Sequence, residues 1–504
     1  MTKIRLALLA AVASGVIGGG FAYAAGGNDA AIRQNGNDNT VTIDQSGGTD
    51  NQFNSTGSSD TSAALQDGDS NTIVATQSGD GNQIGLTGNQ FDTIHLVTGN
   101  VGGTGLNRAA WNVPAAGYDS DANTGVAQIG DDNSLTVTQT SNSNVVGGVV
   151  QLTVDVGTGQ KNTLTLTQGS GDGNQINQVL QAAAQGSQNT ATITQTGAGN
   201  VLNAVNQIGL NVNGSGGNEN KIDATFIGSS NGTTGLSGYA AVSTRVKDSE
   251  LNQMGENNYI KLDISGDDNA FGVTQNNYGG GQNTLSALGI IGDGNKLGVL
   301  QDANRVSSNH NSLTISEING DDNNIGVSQI GNNYGYIDLK STSNSNQIGL
   351  SQTGTNNAVV TINSGDNNSF DLTQEDNNQL TVNTTGSSNY LKAYQTGSAA
   401  GSDNEMTVTI TGSFNNEASF LSGAAFDIGL AAGELIQNGE GNDTTITVDS
   451  SSNLFAVSQL GSDNDATVSI SGGDGNQVAL LQSGDGNSSV VTQVGSSNIV
   501  GISQ

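Results

Sequence analysis

Residues 476–498 read NQVALLQSGDGNSSVVTQVGSSN. Two glycine-led tetrapeptides, Gly484-Asp-Gly-Asn487 and Gly495-Ser-Ser-Asn498, stand eleven residues apart, each separated by one residue from a preceding glutamine. Between such corners the residues alternate apolar and polar. In NTLTLTQ (162–168), Leu164 and Leu166 share parity with Asn162 and Gln168, and the threonines take the other parity. A period of two marks a strand with one buried face. Gly-x-x-Asn is turn chemistry, because Gly and Asn tolerate positive φ. Each eleven-residue unit therefore reads as one strand and one tight turn. An amphipathic helix fails on the period and on the Thr and Gly content.

The same pattern recurs from Gln34 onward, as in Gln128-Ile-Gly-Asp-Asp-Asn133, Gln195-Thr-Gly-Ala-Gly-Asn200 and Gln352-Thr-Gly-Thr-Asn-Asn357. Near the C-terminus the corner asparagines fall at 442, 453, 464, 476, 487 and 498. Neighbouring units belong to two alternating classes. One, such as NSLTISE (311–317) or NDATVSI (464–470), carries Thr, Ser or charge at its outward positions and often lacks the closing Gln. The other, such as NKLGVLQ (295–301) or NQVALLQ (476–482), has Gly or Ala at its outward middle position. The structural period is thus about 22 residues, two strands per coil, each class stacking on its own kind.

This describes an all-β fold: a two-sheet β-solenoid with amyloid-like cross-β stacking. Roughly 18 coils at about 4.8 Å each give a rod on the order of 90 Å long. Val, Ile, Leu and Ala line the interior, edged by Asn and Gln whose amides can bond the identical amide one coil away. The outward row Gly272, Gly298, Gly326 and Gly349 should form an unusually flat sheet, expected to be the lateral contact face between rods. Three stretches break the pattern, near 88–125, 231–250 and 423–436, and read as loops leaving one end of a coil. The first holds the sole proline and the sole tryptophan, Pro114 and Trp111.

Composition fits a repeat protein. The chain has 504 residues, 74 Gly, 1 Pro, no Cys and 4% aromatics, too few bulky residues for a large globular core. Hydrophobic residues still make up 33%, too many for a disordered chain. The net charge of −32 is spread along the sequence and argues against nucleic-acid binding. Lys3 and Arg5 precede an apolar run, Leu6 to Ile17, ending in Ala22-Tyr23-Ala24. That is a secretory leader over 1–24, followed by a short Gly/Asn-rich segment over 25–31 and the repeats over 32–504. No later segment is apolar enough to span a bilayer. The exported chain, having no cysteine, must rely on backbone pairing rather than disulfides.

Gln-x-Gly-x-x-Asn, with Gln recurring eleven residues on and a full unit of about 22, resembles the curlin repeat of bacterial curli subunits. The resemblance is dispersed over nearly all of 28–504. It implies export across the outer membrane, self-assembly into extracellular amyloid fibres, and a role in biofilm matrix, cohesion and surface adhesion. It also implies further copies of the same chain, a nucleator subunit and an outer-membrane secretion channel as partners. The ladder residues that it carries over are Gln128, Asn133, Gln195, Asn200, Gln352, Asn357, Gln459, Asn464, Gln482, Asn487, Gln493 and Asn498. The chain departs from the usual curlin subunit in its many more repeats. The Ser that opens each curlin repeat, and the Ala two after its Asn, are mostly missing.

No constellation for an enzyme, a cofactor or a metal emerges. His95 and His310 stand alone, without carboxylates at ligand spacing. Paired acids such as Asp131-Asp132, Asp267-Asp268 and Asp321-Asp322 occupy turn positions where Asp is already favoured. Calcium-binding nonapeptide repeats have a period of nine with Asp as the recurring ligand, whereas here the recurring residue is Asn. The alternative reading is a long monomeric surface adhesin that binds a ligand through its insertions. An ice-binding solenoid, suggested by Thr163-x-Thr165-x-Thr167, is less favoured because Lys261 and Asp263 interrupt the threonine array.

Overall fold

The computed structural model describes residues 22–23, 27–53, 64–85, 125–154, 161–184, 187–210, 219–255, 257–277, 282–287, 289–303, 309–339, 343–362, 364–397, 403–421 and 423–504. The leader apart from Ala22–Tyr23, and the first insertion with His95, Trp111 and Pro114, lie outside them. The chain forms two compact units, residues 1–233 with 249–256 (unit 1) and 234–248 with 257–504 (unit 2).

Each unit is a β-solenoid of two parallel sheets, and each strand class pairs with its own kind. In one sheet, here the threonine sheet, Thr136 lies beside Thr165 and Thr165 beside Thr192 in unit 1. In the other, the glycine sheet, Gly272, Gly298, Gly326 and Gly349 are register neighbours in unit 2. Unit 2 runs in its glycine sheet from Ala270–Asn277 to Ile499–Ser503, one strand per coil. Alternation sets the inside and outside. In the strand Asn378–Thr384, Asn378, Leu380, Val382 and Thr384 are buried and the residues between them face outward. The interior is Val, Ile, Leu and Ala with phenylalanines among them: Phe53, Phe226, Phe271, Phe370 and Phe455 are fully buried. Burying each such side chain stabilises the stack by about 1.5–3 kcal/mol.

The corners explain why Gly-Asp-Gly-Asn and Gly-Ser-Ser-Asn are interchangeable. Two residues of each tetrapeptide take positive φ: Gly484 (110°) and Gly486 (69°) in the first, Gly495 (95°) and Ser497 (60°) in the second. The corner asparagine is not among the positive-φ residues. Its selection therefore comes from hydrogen bonding, not from backbone freedom. The second corner residue has a task of its own. Its side chain accepts a hydrogen bond from the backbone N–H of its counterpart one coil earlier, as Asp293 does from Asp267 (2.7 Å) and Asp321 from Asp293 (2.8 Å). Asn344, Asp366 and the Ser387 hydroxyl continue this line. Any short acceptor serves there, which is why the acid comes and goes.

Two boundaries differ from the sequence reading. Glu434–Asn438 is a strand paired with Lys392–Thr396, so residues 434–436 belong to the sheet and not to the third insertion. Buried Leu435 and Gln437 hold them there. The excursion instead begins at Asn416, directly after the corner Asn415. Around residue 355 the turn is one residue shorter than Gly-x-x-Asn, and the strand Asn356–Ile362 begins with Asn356 inward.

Candidate functional site

Four amide columns run along the coil corners of unit 1. In its glycine sheet, Gln66 Nε2 donates to Gln128 Oε1 (2.8 Å), Gln128 to Gln151 (2.8 Å) and Gln181 to Gln207 (2.7 Å). In its threonine sheet, Gln139 donates to Gln168 (2.9 Å) and Gln168 to Gln195 (2.8 Å). The asparagine columns donate the opposite way along the stack: Asn133 Nδ2 to Asn71 Oδ1 (3.0 Å), and Asn200 Nδ2 to Asn174 Oδ1 (3.0 Å). Each glutamine also caps backbone carbonyls, as Gln195 Nε2 does for Gln175 and Asn200. These amides are fully buried yet partnered, which removes the desolvation penalty of a buried polar group.

Among its described residues, unit 2 has the two asparagine columns but a single glutamine column. Gln352 donates to Gln374 (3.0 Å), Gln437 to Gln459 (2.9 Å) and Gln459 to Gln482 (3.0 Å). Asn464 donates to Asn442 (2.9 Å), Asn487 to Asn464 (2.9 Å) and Asn498 to Asn476 (2.8 Å). Two expected ladder residues stand elsewhere. Asn357 is exposed, and Asn356 takes its place, donating to Asn333 (2.9 Å) and accepting from Asn378 (3.1 Å). The period of two contained that signal, since only Asn356 shares parity with Ala358, Val360 and Ile362. Gln493 has Ile470 as its register neighbour, not another glutamine. Its Nε2 reaches the Gln477 carbonyl (3.2 Å), while its buried Oε1 has no partner.

The glycine row is not an open lateral face. Residues 234–248 lie across it as a strap within unit 2. A Cβ on Gly272 would stand 2.4 Å from the Lys247 carbonyl oxygen, one on Gly298 1.8 Å from that of Ala240, and one on Gly326 1.8 Å from that of Tyr239. On Gly349 it would meet the Tyr239 ring at 2.5 Å. Only glycine lets this backbone approach. The strap buries Ala240 and Val246 and is tethered by polar groups. Ala240 N donates to Asn324 Oδ1 (2.7 Å), Asn324 Nδ2 to the Ser237 carbonyl (2.8 Å), and Arg245 pairs with Asp302 (2.8 Å). Burial raises the Tyr239 phenol above its ordinary value, while its bond to Ser369 opposes the shift.

A second strap, residues 416–433, treats the same row further along. Phe420, Ala425 and Ala432 pack on Leu454, Ala456 and Ala479, and a Cβ on Gly501 would lie 2.0 Å from the Ala424 carbonyl oxygen. Between the straps the row reads Asp371, Lys392, Glu434 in register. Small residues mark the covered coils and charged residues the uncovered ones. That correlation was legible in the sequence, but only once the insertions were known to return over the sheet.

His310 is exposed, and among the described residues no group of three or more His, Cys, Asp or Glu is placed to hold a metal ion. Among the same residues no helix is long and apolar enough to cross a membrane.

The family model of the curlin associated repeat matches residues 473–504, which span the last two glycine-sheet strands and the threonine-sheet strand between them. The chain thus carries a curlin repeat over these residues. No curated protein and no solved structure matches it. The matched curlin repeat contains Gln482 and Asn498 at work in their columns, so the family signature coincides with the hydrogen-bonded corners. Earlier coils have the same corner chemistry with other apolar residues between.

Proposed function

We propose that this curlin-repeat protein is a structural, non-enzymatic subunit of extracellular curli-like fibres, serving matrix cohesion and surface adhesion. The observation that carries the reading is the stacking of amide on identical amide, coil after coil, along the parallel in-register sheets. Such columns reward in-register addition and penalise slips, because a one-residue shift leaves buried amides unpartnered. The leader-like N-terminus supports export, and a nucleator and an outer-membrane channel would complete the route. Purified mature protein should elongate into fibres with a meridional reflection near 4.7 Å. A chain that stays monomeric at high concentration, by sedimentation and electron microscopy, would falsify this reading.

The straps favour one second reading. They occupy the outer face of the glycine sheet in unit 2, which removes that row from rod-to-rod packing. A strapped solenoid is also the form expected of a monomeric surface adhesin that meets its ligand through its insertions. The same sedimentation experiment separates the two.

A further inference from the structure

The two straps leave part of the glycine sheet of unit 2 uncovered between them. The first reaches as far as Gly349, over which the Tyr239 ring lies, and the Tyr239 hydroxyl bonds that of Ser369 in the next coil. The second leaves the solenoid at Asn416, whose Nδ2 donates to the Tyr390 carbonyl (3.2 Å) and whose Oδ1 accepts from the Phe455 N–H (2.8 Å). It returns at Gly433, where a Cβ would stand 2.8 Å from the Tyr390 ring. Between these points is a cleft of about 480 Å³, in the size range of small-ligand sites. Ser369 and Tyr390, register neighbours at outward positions of the sheet, line it together with Glu417, Ala418 and Ser419 of the second strap. Tyr390 stands where the two preceding coils have Ser369 and Gln347, so the repeat itself does not call for a ring there.

The lining selects a class of ligand. Tyr390 is 38% exposed, so a broad aromatic surface faces the cleft. Around it stand hydroxyls, an amide and a carboxylate, those of Ser369, Ser388, Asn367 and Glu417. An apolar ligand would cover these polar groups without partnering them. A pyranose suits both kinds of surface, offering a C–H face to the ring and a rim of hydroxyls to short polar side chains. Charge disfavours an anion. In the adjoining row Lys392 is flanked in register by Asp371 and Glu434, Glu417 adds a further negative charge, and the chain as a whole carries −32. An extended peptide has no free strand edge to join, because the strands Ser369–Glu375 and Tyr390–Thr396 are each paired on both sides.

We propose that the cleft between Tyr390 and the second strap binds a neutral saccharide, with a sugar ring stacked on Tyr390 and its hydroxyls held by Ser369 and Glu417. The site lies within unit 2 and does not depend on whether copies of the chain assemble. Isothermal titration of the full chain with the neutral hexasaccharides of glucose, mannose, galactose and xylose should show saturable binding of at least one of them. Tyr390→Ala should weaken that binding about tenfold or more, whereas Tyr390→Phe, which keeps the ring, should bind as the parent does. Ala418→Arg fills the cleft from an exposed position and should abolish binding with the thermal midpoint unchanged, so it decides the matter should Tyr390→Ala not fold. Dextran sulfate, the anionic probe, should bind far more weakly than the neutral sugar. No binding of any of the neutral probes at millimolar concentration would overturn the proposal. So would binding that survives Ala418→Arg or a folded Tyr390→Ala, an equal loss in Tyr390→Phe, or equal affinity for dextran sulfate.

Discussion

In unit 1 the threonine-sheet strands close on Gln77, Gln139, Gln168 and Gln195, one amide bonding the next. In unit 2 the same position holds Ile362, Thr384, Ile410, Val448 and Ile470, with Gln493 at the last register step. Both solutions fill the same corner of the same coil. An amide column satisfies itself by repetition, and an aliphatic column needs no satisfaction. In unit 2, mixture leaves polar atoms unmet. Two of the buried polar atoms without a partner, Thr384 Oγ1 and Gln493 Oε1, belong to the polar residues that interrupt the aliphatic column. The closing residue is therefore chosen by its neighbours one coil above and below, and not by its own coil.

That rule can be broken from either side. Ile410→Gln places a lone amide between Thr384 and Val448, losing aliphatic burial and stranding polar atoms; denaturant unfolding should show a loss of about 4 kcal/mol. Gln168→Leu breaks the unit 1 column in its middle and also abandons the Val145 and Asn174 carbonyls, costing about 3 kcal/mol. An unchanged midpoint in either variant would mean that column identity is irrelevant.

The straps sharpen the comparison on the other sheet. Gly298→Val should drive the 234–248 strap off its row at a cost of about 2 kcal/mol, and trypsin should then cut sooner at Arg245 and Lys247. An unaltered digestion pattern would show that the strap does not need the glycine. Thr384→Val repairs the aliphatic column and should raise stability by about 1 kcal/mol.

The smallest effect concerns charge stacking on the threonine sheet of unit 2, where Asp443 stands beside Asp465. Burial, and then the like charge of Asp465, push the Asp443 carboxyl above its ordinary value of 3.8. A raised folded pKa means that its contribution to stability is fully present below 3.8 and is lost as pH rises through the folded value. Asp443→Asn should accordingly be more stable than the parent at neutral pH, and that advantage should vanish in acid. A gain that persists below pH 3.8 would assign the effect to something other than titration.

Much of this was open to reading in the chain itself. Alternation in NTLTLTQ places Leu164 and Leu166 inside, and the spacing of the corner asparagines places Asn464, Asn487 and Asn498 in columns. Asn357 misled because one turn is a residue short, and local motif matching outweighed strand parity there. Gln493 misled because a motif describes one coil, whereas a ladder needs the next. The glycine row was noticed, but its occupant could not be guessed.

The sequence by itself determined the coil: its strands, its corners, which face is buried, and which class stacks on which. Those features follow from period-two alternation and turn chemistry, both of which act within a dozen residues. Only the tertiary structure decided which corner amides find partners and what lies on the outer face of the glycine sheet. Both depend on residues tens of positions apart that parallel stacking brings within hydrogen-bond or van der Waals reach, a distance that no local pattern encodes.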